Sequence, residues 1–134
     1  MADYTNIQVL QDGPRNVIVK LTGILDTADV SATTLLDPAS LSKMGNLKEL
    51  ANRLAIKHIR YSIEDGLSIY LYWDATTDVL IAPLEGENDM EWHTPLVNTE
   101  ASGVTGIINY ATQGWSSGAK LAFALEIHLI KYLV

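Results

Sequence analysis

Regular alternation of apolar and polar side chains is the feature that most limits what this chain can fold into. Residues 67–74 read LSIYLYWD, and residues 119–134 form a longer segment of the same kind. One face of the longer segment carries large apolar side chains, namely Leu121, Phe123, Leu125, Ile127 and Leu129. A period of two residues is typical of a strand that is buried on one side. We therefore predict strands here, whose apolar faces must be covered by a second layer.

Further strands are predicted from the same alternation and from the turn residues between them. They cover residues 5–11, 16–27, 56–63, 78–84 and 104–112. We expect the dipeptide Asp65-Gly66 to close a tight hairpin between the strands on either side of it. Gly23 is expected to mark a bulge, and Pro83 is expected to lie in an edge strand.

The remaining segments lack this alternation. Residues 28–42 are predicted to cross between two sheets as a strand or a loop, and residues 85–103 are predicted to form a long loop. From Leu41 to Leu54, apolar residues recur every three or four positions, which predicts one short helix near residues 46–53. The fold class is therefore all-β, a mainly antiparallel β-sandwich of jelly-roll type with about seven or eight strands. We expect a single domain over residues 1–134.

Charge and composition exclude several classes of protein. The chain has 134 residues, with 9 basic against 16 acidic side chains and a net charge of −7, so we expect no nucleic-acid partner. It has no cysteine, which excludes disulfides, thiolate metal sites and a cysteine nucleophile. The N-terminus does not resemble a signal peptide. The apolar C-terminal stretch is interrupted by Glu126, His128 and Lys131, so we expect synthesis in a cytoplasm and no membrane partner.

Motifs for catalysis or metal binding are not found in the sequence. It contains no phosphate-binding glycine loop, no GxSxG and no HExxH. His58, His93 and His128 lie in three separate segments, and we interpret them as ordinary strand or loop residues, although His128 could contact Glu126. The carboxylates of residues 85–91 would suit a calcium ion, but we interpret them as a solvated loop. We predict no enzyme, and no catalytic residue, metal or cofactor.

Three stretches carry a resemblance to a known class of protein. They are DGPRNVIVKLTGILDTADVSATTLLDP at residues 12–38, YSIEDGLSIYLYWDATTDVLIAPLEG at residues 61–86 and GVTGIINYATQGWSSGAKLAFALEIHLIK at residues 103–131. These stretches resemble small virion structural proteins of tailed bacteriophages. The resemblance implies a β-sandwich that attaches to a capsid or sits at the neck or tail, and it carries over no active site.

The resemblance favours a capsid decoration or cement protein that stabilises the shell by interface burial. Its partners would be the major capsid protein or other virion proteins, with a homo-oligomer such as a trimer. Its place would be the virion, after assembly in the cytoplasm of the bacterial host. We expect residues 1–6 to form an arm held by a neighbouring subunit. The predicted contact residues are Asp3, Tyr4, Ile7, Met90, Trp92, Leu96 and Trp115.

Three alternatives remain open at this point. The first is a structural component of the phage neck or tail. The second is a carbohydrate-binding module, in which Tyr70, Tyr72, Trp92 and Trp115 would stack on sugar rings. The third and least favoured is a small hydrolase or isomerase, which would need histidine and carboxylate side chains to converge in one pocket.

Overall fold

The computed structural model describes residues 3–44, 51–100 and 102–132. These residues form nine strands and one short 3-10 turn at Pro38–Ser40. The strands are β1 (Tyr4–Asp12), β2 (Asn16–Leu25), β3 (Thr33–Leu36), β4 (Arg53–Ile63), β5 (Ser68–Trp73), β6 (Val79–Glu85), β7 (Glu87–Leu96), β8 (Ile108–Gln113) and β9 (Leu121–Tyr132). The predicted all-β fold is confirmed.

The strands form two antiparallel sheets. The five-stranded sheet has the order β1-β2-β9-β4-β7, and the four-stranded sheet has the order β3-β8-β5-β6. In strands β2 to β9 the chain moves between the two sheets in the order of a jelly roll, which is built from eight strands. Strand β1 is added outside these eight, at one edge of the five-stranded sheet.

The core lies between the sheets and follows the predicted alternation. In β9, Phe123, Leu125, Ile127 and Leu129 are buried, and the residues between them are only partly covered. Their partners across the sheet include Val19, which lies opposite Ile127 and is fully buried. The four-stranded sheet contributes a matching row from β5, in which Ile69, Leu71 and Trp73 are buried. Each sheet thus supplies the cover that the apolar face of the other sheet needs.

The Asp65-Gly66 dipeptide makes a turn but not a hairpin. Leu67 N–H donates to the carbonyl of Glu64 at 3.2 Å, and Gly66 has a φ of 90°. However, β4 lies in the five-stranded sheet and β5 in the four-stranded sheet, so the strands on either side are not partners. The hairpin prediction is wrong because turn chemistry reverses the chain locally, whereas long-range pairing decides which strands become neighbours.

The segment predicted as a long loop contains strand β7. At Gly86, whose φ is 71°, the chain leaves β6 in one sheet and enters β7 in the other. Ile63 N–H donates to the carbonyl of Gly86 at 2.7 Å, which fixes this corner against the end of β4. The acidic residues of β7 obscured its alternation, since its inner side chains, Met90 and Trp92, still pack against the core.

Other local predictions had mixed outcomes. Residues 28–42 do cross from one sheet to the other, and Pro83 lies in the edge strand β6. Gly23 pairs in regular register, so the predicted bulge is wrong there, and the glycine instead makes room for Phe123. In the predicted helix, residues 46–50 lie outside the described residues. Its predicted last residue, Arg53, is the first residue of β4, so the prediction is wrong at that end.

Candidate interaction surface

Strand β1 exposes apolar side chains along its whole length. Every one of its residues is exposed, including Tyr4 at 56%, Ile7 at 40%, Val9 at 45% and Leu10 at 47%. Among the described residues, only Leu80 and Val97 are other large apolar side chains with comparable exposure. Exposed apolar groups gathered on one element are typical of an interaction site. We call residues 4–11 the β1 edge.

The register of β1 explains why these side chains are not covered. Ile7 lies opposite Leu21 and Val9 lies opposite Val19, and both partners on β2 are fully buried. Ile7 and Val9 therefore point to the core side of the five-stranded sheet. Ile7 and Val9 are nevertheless 40% and 45% exposed, so the facing four-stranded sheet does not cover them.

The β1 edge lacks the usual protection of an edge strand. Residues 4–11 contain no charged residue and no proline. The opposite edge of the same sheet, strand β7, carries Glu87, Asp89 and Glu91 as well as Pro95. Charges and proline are what natural proteins place on open edges to prevent pairing with another chain. The β1 edge has only a bulge at Leu10, where the register shifts between Val9 and Gln11.

The start of β1 is anchored by Asp3. Its Oδ1 accepts hydrogen bonds from the backbone N–H groups of Asp26 at 2.6 Å and Thr27 at 2.7 Å. These two hydrogen bonds hold the pKa of Asp3 below its usual value. Residues 3–6 are thus held by their own chain, as part of the five-stranded sheet and its anchor. That a neighbouring subunit also holds them stays a prediction. Residues 1 and 2 of the predicted arm lie outside the described residues.

The end of β1 is anchored by a buried ion pair. Lys131 is fully buried, and its Nζ donates to Asp12 Oδ1 at 2.6 Å, to the Gly13 carbonyl at 2.8 Å and to the Ser42 carbonyl at 2.7 Å. Partial burial acts to raise the pKa of Asp12. The hydrogen bonds from Lys131 and Ser42 more than offset this effect, so the pKa lies below its usual value. The ammonium group thereby joins three segments at one end of the sandwich.

A row of alternating charges crosses the outer face of the five-stranded sheet. Cross-strand neighbours place Lys20, Glu126, Arg60 and Asp89 side by side on strands β2, β9, β4 and β7. Arg60 lies between the two acids, with Nε 3.4 Å from Asp89 Oδ2 and a guanidinium nitrogen 4.0 Å from Glu126 Oε2. Exposed pairs of this kind add little stability. The row sets two basic side chains against two acidic ones on this face.

Two histidines meet in the next row of the same face. His58 and His128 lie opposite each other, with ring centroids 5.0 Å apart. His58 forms a hydrogen bond with Asp89, and this bond together with Arg60 lowers the pKa of Asp89. His128 Nε2 lies 3.6 Å from Glu126 Oε1, which is a charge contact rather than a hydrogen bond. Two of the three histidines, which lie in separate segments of the sequence, thus meet beside acidic side chains on an open sheet face.

The predicted contact residues fall in three separate places. Tyr4 and Ile7 lie on the β1 edge, and Asp3 directly precedes it. Met90, Trp92 and Leu96 lie on β7 at the opposite edge of the sheet. The last three side chains are partly buried and pack against the core. Trp115 also packs against the core, and its Nε1 donates to the Ala119 carbonyl at 2.9 Å. Val9 and Leu10 were not among the predicted contact residues, although the uncharged run of residues 4–11 was a signal for them.

The aromatic residues do not gather on one exposed face. Trp92 belongs to the five-stranded sheet, while Tyr70 and Tyr72 lie side by side in β5 of the four-stranded sheet, both half-buried. Trp92 and Trp115 each pack partly against the core, which leaves less of either ring exposed for stacking on a sugar.

The predicted acidic loop is distributed over β6 and β7. Asp89 is engaged by His58 and Arg60, and Glu85 accepts a hydrogen bond from Ser68 at 2.5 Å. In the described part of the chain, no group of three or more acidic or histidine side chains is arranged to hold a metal ion.

Two comparisons with known proteins found no match to this chain. No model of a known protein family matches the chain, and no curated protein matches it at a significant level. The resemblance to virion proteins of tailed phages therefore stays a prediction. In the residues that the structure covers, no helix has the length and apolar character needed to cross a membrane.

Proposed function

We propose that this chain is a non-enzymatic structural protein of a tailed-phage particle, and that it decorates the capsid. The observation that carries the proposal is the β1 edge, an uncharged strand that is exposed throughout and anchored at both ends. An enzyme concentrates its distinctive chemistry in a concave site. In this chain the distinctive feature is instead a row of unpaired backbone groups flanked by apolar side chains.

The architecture supports a role in assembly. The jelly roll occurs in viral capsid domains, lectins and cupins. The resemblance of residues 12–38, 61–86 and 103–131 to phage virion proteins points to the first of these uses. Fold alone does not decide function, so the proposal depends on the exposed edge as well.

The mechanism would be interface burial. A protein that binds the assembled shell but not its free subunits stabilises the shell by mass action. Pairing of the β1 edge with a neighbouring chain would satisfy its backbone groups and remove Ile7 and Val9 from water. Repetition by the symmetry of the shell would multiply this gain.

The copy number of the chain in purified particles tests the proposal. We expect on the order of hundreds of copies per particle, as decoration of a whole shell requires. About six or twelve copies would indicate a ring at the neck or tail and would overturn the decoration role. Absence of the chain from particles would overturn the structural role altogether.

Two variants test whether incorporation into particles depends on the β1 edge. We expect Ile7→Lys to reduce incorporation into particles, because it places a charge on the exposed edge. Leu80→Lys is the matched control, since Leu80 is 48% exposed on a different edge strand, β6. Equal incorporation of the two variants would contradict the assignment of the surface.

A further inference from the structure

We propose that the β1 edge pairs with the β1 edge of a second copy of this chain. The two strands would run antiparallel about a twofold axis and would join the two five-stranded sheets into one continuous sheet. This inference uses the proposed function only in taking the β1 edge as an assembly surface. It adds the identity of the partner on that edge.

The backbone of β1 supplies the first argument. Among the described strands, β2 is the only neighbour of β1, so one side of β1 presents unpaired N–H and C=O groups. Such a row pairs readily with another extended strand. Residues 4–9 pair with β2 without a register shift, so the backbone from Ile7 to Val9, on which the pairing below is centred, is regular strand.

Charge favours a second copy on this edge. The chain has a net charge of −7, so two copies repel each other over most of their surfaces. The β1 edge is uncharged from Tyr4 to Gln11, and two such edges can meet without like charges. Two β7 edges would instead bring Glu87, Asp89 and Glu91 against their equivalents, and like charges directly opposite are destabilising.

The side-chain pattern is complementary to itself. If Gln8 lies opposite Gln8 of the second copy at the twofold axis, Ile7 lies opposite its Val9, and the reverse contact follows by symmetry. Both side chains point to the core side, where they are 40% and 45% exposed. Apolar and β-branched pairs directly across two strands stabilise a sheet. The same patch on both subunits is what a twofold dimer requires.

The anchors of β1 reduce the cost of association. Asp3 is fixed to Asp26 and Thr27, and Asp12 is fixed to Lys131, so the strand is already extended before it meets a partner. A preorganised segment loses less conformational freedom on binding.

Sedimentation of the purified full-length chain over a range of concentrations tests the proposal. We expect a dimer that dissociates on dilution. Ile7→Lys should weaken it about tenfold or more, whereas Leu80→Lys should leave the dissociation constant unchanged. A monomer at all concentrations, or a trimer, would overturn the proposal.

Cysteine crosslinking tests the register independently of folding defects. The chain contains no cysteine, so a single introduced thiol has no competitor. Residues directly opposite in an antiparallel pair have Cα atoms about 4.5–5.5 Å apart, which a disulfide can bridge. We expect the Gln8→Cys variant to form a covalent dimer under mild oxidation and the Leu80→Cys variant not to do so. Equal crosslinking of the two variants would overturn the proposal.

The two proposals can fail separately. A chain that is monomeric in solution but present in large numbers on the capsid would refute the β1 dimer and keep the decoration role. A twofold dimer that is absent from particles would keep the β1 dimer and refute the decoration role.

Discussion

Lys131 Nζ lies 2.6 Å from Asp12 Oδ1, so a side chain near the end of the last strand holds the end of the first. The two residues are 119 positions apart in the sequence. Through this contact the end of β1 is fixed to β9, in addition to its pairing with β2, although the side chains of β1 are exposed. The β1 edge is therefore an ordered strand of the fold, held at both ends.

Removal of Asp12 should destabilise the protein more than removal of Lys131. Asp12→Ala leaves a fully buried ammonium group without its counter-ion, and we expect a loss of roughly 3 kcal/mol in the free energy of unfolding. Lys131→Met leaves a carboxylate that still has access to water and should cost less. Urea denaturation measures both values. Lys120→Met, at an exposed position, is the control, and an equal effect of all three changes would contradict the account.

Acid should remove the contribution of Asp12. Because its pKa lies below the ordinary value of 3.8, the ion pair adds stability above that pH. This contribution is lost as the pH falls through the lowered pKa of the folded state. We expect wild type to be more stable than Asp12→Asn at neutral pH, with a difference that shrinks as the pH falls below 3.8. A constant difference from pH 7 to pH 2, measured by denaturation, would refute the role of the charge.

A side chain at Gly23 should destabilise the fold. A Cβ at this position would lie 2.5 Å from Phe123 Cζ, so Gly23→Ala forces the ring to move. We expect a loss of about 1–3 kcal/mol, as for other overpacked sites. The double variant Gly23→Ala with Phe123→Leu should recover part of it, because the added methyl group then finds space. At Gly13, the control, the nearest atom to an added Cβ is 3.5 Å away, and a similar loss there would argue against the clash.

Changes at the β1 edge should alter association without altering the fold. Ile7 and Val9 are exposed, and surface substitutions usually change stability by less than about 0.5 kcal/mol. We therefore expect Ile7→Lys and Val9→Lys to unfold at the wild-type denaturant concentration when the protein is dilute. A large loss of stability in the dilute protein would show that these side chains stabilise the fold of the monomer rather than an interface.

Much of the fold was visible in the sequence because burial imposes a period of two on each strand. The alternation in Leu67 to Trp73 and in Leu121 to Leu129 identified core strands of the two sheets correctly. Strand β7 was missed because three of its ten residues are acids that face outward at an edge. The turn at Asp65-Gly66 was recognised from its local chemistry, but the sheet to which each strand belongs depends on contacts with distant residues.

The candidate surface was predicted only in part. Tyr4 and Ile7 were among the predicted contact residues, whereas Val9, which shares a face with Ile7 in a predicted strand, was not. No sequence pattern could show that the facing sheet is one strand narrower. The pairing of Lys131 with Asp12 was likewise hidden, because nothing local connects two residues from opposite ends of the chain.

Hydrogen exchange of the backbone amides of residues 4–12, compared between the dilute chain and the chain in the proposed dimer or particle, tests the central claim most directly. The outward-facing amides of β1 lack a strand partner in the monomer, so they should exchange fast there and become protected on assembly. Protection concentrated on β1 is the result that our account predicts. Unchanged exchange in β1, with new protection on β6, on β7 or on the outer sheet faces, would contradict it.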